Sequence, residues 1–306
     1  MEKSKLTFIL GPTASGKTGV AVELASLFNG EVISADSMQV YRHMDIGTAK
    51  PSKEELGGVP HHFIDIADPD EEYTAARFRK EAIKKIGEIL SRGKGVFVAG
   101  GTGLYVKVLT QGIFDGPRAD KHLRETLREV ARSKGNMALY GRLKEVDPVS
   151  AEKIHPNNTN RLIRALEVWE LSKRPISEFH REHAFSEEPF DALKIGLHRE
   201  RAALYAAIEG RVDEMMERGL LDETKRLLSM GYGSGLKPMC GLGYKEMTGF
   251  LNGEYPLDEA VELIKQNTRR YAKRQVTWFK RDPEIRWFSP ERKNDIIDLV
   301  KGHLKR

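Results

Sequence analysis

Eight residues, Gly11-Pro12-Thr13-Ala14-Ser15-Gly16-Lys17-Thr18, have the types and the spacing to hold a chain of phosphates. In a G-x-x-x-x-G-K-[ST] turn the glycines let successive backbone N–H groups point inward at anionic oxygens. Lys17 then adds a full positive charge, and Thr18 offers a hydroxyl to Mg²⁺. The bland alternative is a chance match in an ordinary strand-to-helix turn, but the apolar run before the motif and the helical pattern after it weigh against that. A nucleoside triphosphate and a diphosphate ester present nearly the same oxygens, so the motif leaves open whose phosphates are held. Asp36 ends the apolar run Glu31–Ala35. Its carboxylate could hold Mg²⁺ through water or act as a general base, although a helix cap or turn would also use an aspartate there. Gly100-Gly101-Thr102-Gly103-Leu104-Tyr105 follows another apolar run, with exposed N–H groups and the Thr102 hydroxyl available to an oxyanion.

Other polar residues read more simply. His61 and His62 are expected to satisfy local hydrogen bonds, and Cys240 to be a small packed residue in a glycine-rich loop. A single cysteine excludes an intramolecular disulfide and any multi-cysteine zinc site. Asn158 and Thr159 suit a helix cap, which leaves Arg161 and Arg164 for a binding face.

Those side chains need elements to hold them. Strand patterns at Lys5–Leu10, Glu31–Ala35, His62–Ile66 and Gly95–Ala99 alternate with helical ones at Lys17–Leu27 and Tyr73–Arg92. This predicts an α/β fold with a phosphate-loop parallel sheet and helices on both of its faces. In such a sheet ligands sit at the carboxyl ends of the strands, which brings Asp36 and the Gly100–Tyr105 segment beside the phosphate loop. From Pro117 the pattern turns all-helical, through Ala119–Ser133, Ala138–Val146, Val149–Ile154 and Thr159–Ser172. It returns to a strand at Ala192–His198, then to helices at Arg201–Arg218, Leu221–Met230, Tyr244–Leu251 and Leu257–Lys280, a short strand at Ile285–Phe288 and a final helix. The expected organisation is a core over 1–116 and 191–306, interrupted by a helical insertion over 117–190.

Seven Lys or Arg (265, 269, 270, 273, 274, 280 and 281) and no acid lie between Lys265 and Arg281. At about 100° per residue they occupy half of a helix, and Tyr271, Ala272, Val276, Trp278 and Phe279 lie on the other half. A solvated face normally mixes signs, so a stripe this one-sided predicts a nucleic-acid partner. The net charge is +5, and no apolar run approaches membrane-spanning length. With no leader read ahead of the first strand, a soluble, cytoplasmic, monomeric protein is expected.

Taken together the motifs resemble those of the tRNA dimethylallyltransferases, or tRNA isopentenyltransferases, of bacterial type. The resemblance rests on the phosphate loop, Ser34–Arg42, Asp45-Ile-Gly-Thr-Ala-Lys-Pro51, Gly100–Tyr105, Ile154–Asn157 with Arg161–Glu167, Gly241–Glu246 and the basic helix, and spans nearly the whole chain. It implies transfer of a dimethylallyl group from dimethylallyl diphosphate to N6 of the adenine 3′ to the anticodon, with Mg²⁺ as cofactor. It also implies that Thr102 and an arginine, matched here to Arg211, stand near the bridging oxygen, and that Asp36 accepts the N6 proton. Asp36, Ser37, Met38 and Gln39, with Thr159, Asn160, Arg161, Leu162 and Ile163, and with Cys240, Gly241, Gly243, Tyr244 and Lys245, would line the path of the tRNA anticodon stem-loop. Arg269, Arg270, Lys273, Arg274, Lys280 and Arg281 would add the electrostatic footprint. The competing expectations are a small-molecule kinase with a helical lid, using the loop for ATP, and a non-enzymatic, nucleotide-dependent RNA-binding protein.

Overall fold

A run such as Leu6-Thr7-Phe8-Ile9-Leu10, buried at every position, cannot leave either face of its strand in water. It suits a parallel sheet covered by helices on both sides. The computed structural model, which describes residues 3–305, contains that sheet. Its strands are β1 (Ser4–Leu10), β2 (Gly30–Ser34), β3 (His61–His62), β4 (Gly95–Gly100), β5 (Phe190–Leu197) and β6 (Arg286–Phe288). All are parallel, in the order β3-β2-β4-β1-β5-β6. β1 is therefore an inner strand, with Phe8 opposite Val98 of β4 on one side and Lys194 of β5 on the other.

Alternation along each strand then sorts the side chains. Ile9, Val32, Phe97 and Ile195 pack against Val20, Ala21 and Leu24 of the Lys17–Leu27 helix and against Ile296 and Val300 of the Lys293–Lys305 helix. The Ala75–Ser91 helix packs on β4 and buries Phe78, which stacks on Tyr105 of the Gly103–Gln111 helix at 4.1 Å. Two charges are buried within the sheet, and both are paired. Glu31 receives His62 at 2.7 Å, Arg92 at 2.8 Å and Lys94 at 3.3 Å, whereas Lys194 reaches Asp282 at 2.8 Å and Glu284 at 2.6 Å.

The third strand is shorter than the predicted His62–Ile66. Phe63 and Asp65 take φ of 68° and 56°, a left-handed turn that ends strand pairing after His62. The Gly103–Gln111 and Ile176–His183 helices are additional to those read from the sequence.

The chain separates into two compact units. One runs to Thr110 and resumes at Pro189, and the other is Gln111–Glu188. Among the described residues the second unit holds the helices Lys121–Lys134, Asn136–Val146, Pro148–Lys153, Thr159–Ser172 and Ile176–His183, and no strand. Their apolar faces meet at Leu127, Leu139, Leu143, Leu162 and Leu166. Glu167 is fully buried there, accepting the Asp120 N–H at 2.8 Å, Arg124 at 2.8 Å and Arg164 at 2.6 Å.

Candidate active site

The carboxyl ends of β1, β2 and β4 open on one cavity of about 670 Å³ in the first unit. Its floor is the loop that follows β1. Gly16 caps the Lys17–Leu27 helix at φ 89°, a conformation that would strain any side chain, and its turn directs the first N–H groups of the helix at the space in front of the loop. Thr13, Ala14, Ser15, Gly16, Lys17 and Thr18 line the cavity, while Gly11 and Pro12 are buried behind it. Two features mark the loop as built for an anion. Among the described residues the buried Ser15 hydroxyl has no hydrogen-bond partner. Among the same residues Lys17 donates only to the loop's own Pro12 carbonyl, at 2.6 Å. Burial pulls the Lys17 ammonium down to about 8; Asp36 opposes that shift and the nearby Arg211 adds to it. Arg211, from the Arg201–Glu217 helix, touches the Thr13 hydroxyl at 3.4 Å, and burial lowers its proton affinity as well.

Asp36 follows β2. Its Oδ1 accepts the N–H groups of Met38 at 2.8 Å and Gln39 at 3.3 Å, which closes a tight turn and leaves Oδ2 without a partner among the described residues. Gln39 braces the next loop by donating to the Ala49 carbonyl at 3.1 Å. Thr102 lies just outside the cavity lining. Its hydroxyl accepts the Ser37 N–H at 3.0 Å, so it fixes the turn that carries Asp36.

The wall opposite comes from the Leu257–Phe279 helix, which turns Asn267, Thr268, Tyr271, Arg274 and Gln275 inward. Gln275 is buried and bridges two loops: its Oε1 accepts the Thr13 N–H and its Nε2 donates to the Gly101 carbonyl, each at 2.9 Å. A side chain at Gly101 would run into that amide, which explains glycine there. Of this inner face the sequence singled out Arg274, as a charge, and placed Tyr271 on the packed half; Asn267, Thr268 and Gln275 did not stand out. The signal available was the i, i+4, i+8 recurrence of Asn267, Tyr271 and Gln275.

The remaining wall is built by two loops locked together. Glu223 receives the N–H groups of Asp45 and Gly47 at 3.1 Å and Ile46 at 3.0 Å, and the buried Tyr244 hydroxyl at 2.7 Å. Lys50 holds the same loop from the other side, bonding to the Tyr41 carbonyl, Asp45 and Asp65. Cys240, Gly241, Gly243 and Lys245 line the cavity, and Cys240, expected to be packed, is exposed there, whereas Tyr244 is framework with its side chain wholly buried.

The basic helix needs correction. Its charges are not one free stripe, because Lys265 pairs with Asp213 at 2.8 Å and Arg269 with Glu209 at 2.6 Å, both acids of the adjacent helix. Arg270, Lys273, Arg274, Lys280 and Arg281 are exposed. Trp278, assigned to the packed face, is 36% exposed.

In the helical unit, Asn160 and Arg161 are exposed beside a shallow depression lined by His155, Asn157, Asn158, Thr159 and Asn160. Leu162 and Ile163 are core residues, so at those two positions the helix offers no side chain to a ligand. Arg164, expected on a binding face, is committed to Glu167 and the Pro117 carbonyl. His61 bonds to the Val59 carbonyl, a local partner as expected, whereas His62 reaches across to Glu31 of β2.

For Mg²⁺ the donor set fits. Among the described residues the Thr18 hydroxyl and Asp36 Oδ2 have no protein partner, and both line the cavity that holds Lys17. An ion that keeps waters and takes one carboxylate plus phosphate oxygens needs no more from the protein. No group of three His, Cys, Asp or Glu comes together among the described residues, and no helix there is long and apolar enough to cross a membrane.

Residues 39–282 match the family model described as IPP transferase. The tRNA dimethylallyltransferase 2 of Syntrophus aciditrophicus is 52% identical over 305 residues, covering 100% of this chain and 98% of that protein. Among solved structures, the full-length tRNA isopentenylpyrophosphate transferase of Bacillus halodurans superposes with a TM-score of 0.75. It is 44% identical, with 99% of this chain and 97% of that one covered. A eukaryotic dimethylallyltransferase captured acting on tRNA gives a TM-score of 0.77 at 34% identity, over 90% of this chain and 70% of that one.

Proposed function

The chain belongs to the IPP transferase family, and from that membership and the geometry of its cavity we propose that it transfers a dimethylallyl group from dimethylallyl diphosphate to N6 of the adenine 3′ to the anticodon of tRNA. One observation carries the reading. A single cavity joins an anion-binding loop, a carboxylate with a free oxygen and the inner face of a helix whose outer face is basic.

The diphosphate lies on the loop, where the N–H groups of the helix start, the Ser15 hydroxyl and the Lys17 ammonium face it. As the allylic C–O bond breaks, negative charge grows on the leaving diphosphate. Lys17 and Arg211 are already desolvated and stabilise that charge more strongly than they would in water. Mg²⁺ held by Thr18, and through water by Asp36, supplies further charge neutralisation when bound. The N6 amine is a poor nucleophile because its lone pair is delocalised into the ring. Asp36 Oδ2 accepts its proton as the N–C bond forms, while Met38 and Gln39 N–H groups keep the carboxylate in place through Oδ1. The adenine has to leave its stack to reach that oxygen, and the stem-loop phosphates meet the exposed Arg270, Lys273, Lys280 and Arg281.

The test is a transfer assay with the purified chain, Mg²⁺, dimethylallyl diphosphate and unmodified tRNA, read by nucleoside mass spectrometry. Prenylated adenosine is expected, and Asp36→Ala abolishes it. ATP turnover without prenyl transfer would hand the loop to a nucleotide instead.

A further inference from the structure

Arg199 follows β5, at the same edge of the sheet as the phosphate loop, and neither the motifs nor the mechanism above uses it. Its guanidinium lies against the loop: a Cβ added at Gly16 would stand 3.7 Å from the Arg199 terminal nitrogen and 3.6 Å from the Pro290 side chain. Among the described residues Arg199 makes no hydrogen bond or ion pair, and its Nε is buried without a partner. The buried Nε is a donor left unsatisfied, although the residue as a whole is half-buried, and it contrasts with Arg42, Arg77, Arg92, Arg124 and Arg269, all of which are paired. Arg199 is also close enough to Arg211 to lower that residue's proton affinity. Arg199, Arg211 and Lys17 bring three positive charges around one loop, with no salt bridge between any of them and an acid among the described residues, which an anion between them would relieve.

We propose that Arg199 is a diphosphate-binding residue, holding the terminal phosphate at the end of the loop away from the reacting carbon. The assignment rests on the donor reading given above and adds a specificity rule to it. Lys17 and Arg211 face the cavity in which the base and Asp36 meet, and so serve the phosphate bearing the prenyl oxygen. Arg199 stands at the Gly16 end, outside that cavity lining, and so serves the second phosphate. The site then selects a diphosphate over a monophosphate through this residue.

The probes are 3-methylbutyl diphosphate and 3-methylbutyl monophosphate, saturated compounds that bind without transferring, titrated calorimetrically into the full chain with Mg²⁺. Arg199→Met keeps the length of the side chain and removes its donors. It is expected to weaken the diphosphate on the order of 10- to 100-fold and to change the monophosphate by less than about twofold. Arg199→Lys, which keeps the charge and loses the planar fork, recovers part of the loss. Unchanged melting temperatures of both variants show that the fold is intact. Equal losses for the two compounds, no loss for either, or a loss confined to tRNA affinity would overturn the assignment. If the wild-type chain binds neither compound, the donor reading fails first and this one falls with it; if it binds the diphosphate and Arg199→Met binds it equally well, only the Arg199 assignment fails.

Discussion

Lys17 sits in the free protein with its ammonium pulled down to about 8 from an ordinary 10.5, because burial removes water that nothing but the Pro12 carbonyl replaces. A gap of that size is a charging penalty of about 3 kcal/mol, which a bound diphosphate removes by supplying the missing counter-charge. The sign follows directly. Below pH 8 the free protein already holds the proton, and above it the proton must be taken up for the anion to bind. At pH 9 roughly 0.9 of a proton should enter per diphosphate bound, and at pH 7 only ~0.1. Affinity should fall on the order of tenfold between those two values and keep falling as the pH rises. The last ionisation of a phosphate ester lies at about pH 6, so at pH 9 an alkyl diphosphate is essentially fully ionised and the proton counted there is the protein's. Calorimetric titrations in pairs of buffers with different ionisation enthalpies give the number directly. Lys17→Arg stays charged throughout, so it should bind more weakly but with a flat profile. If wild-type uptake at pH 9 stays below about 0.3, or Lys17→Arg shows the same uptake, the desolvated lysine is not what the diphosphate meets.

Glu223→Gln turns an amide donor toward N–H groups that now converge on a carboxylate, and should destabilise the chain by about 3–5 kcal/mol in urea unfolding. Tyr244→Phe removes a single hydrogen bond from the same carboxylate and should cost about 1–2 kcal/mol. Burial raises the Glu31 carboxyl, but His62, Arg92 and Lys94 overcome it and hold the group down at about 2. Its stabilisation is therefore complete above its ordinary 4.5 and lost as pH falls from there toward 2. Glu31→Gln should make acid unfolding less steep in that window, as followed by circular dichroism. Neutralising Arg270 and Lys273 together should reduce the salt slope of tRNA binding by roughly 1–2, because each phosphate contact contributes about 0.7–0.9. Arg269→Gln should leave the slope unchanged, since Glu209 already holds that charge; equal effects in a filter-binding titration would contradict the pairing.

What could be read from the sequence was whatever is encoded locally. The Lys17–Leu27 helix and the loop before it follow from spacing alone, because the turn needs glycine at Gly16 and the helix begins at once. The inner faces of the loops were not legible. Glu223 and Gln275 act on segments distant in the chain, and nothing beside either residue announces a partner. The basic helix shows the limit from the other side. Seven like charges are a fact of the sequence, but the acids that silence Lys265 and Arg269 belong to the neighbouring Arg201–Glu217 helix. Leu104–Leu109 reads equally well as strand or helix, and only packing of Tyr105 on Phe78 decides for helix. Phe63 and Asp65 reversed the chain where β-propensity favoured extension.

The pairing of Ser4 with Phe190 bears on how the molecule is born. While the chain is being synthesised, β1 waits with one edge open until the whole Gln111–Glu188 segment has left the ribosome, although that segment's own contacts are local and can close first. The exposed edge is apolar, the kind that chaperones cover and that pairs wrongly with other nascent chains. Arg199, Arg211 and Gln275 all emerge after it is covered. The phosphate loop is thus translated early and armed late. A fragment stopped before Pro189 should be insoluble and catalytically inert, however intact its Gly11–Thr18 motif.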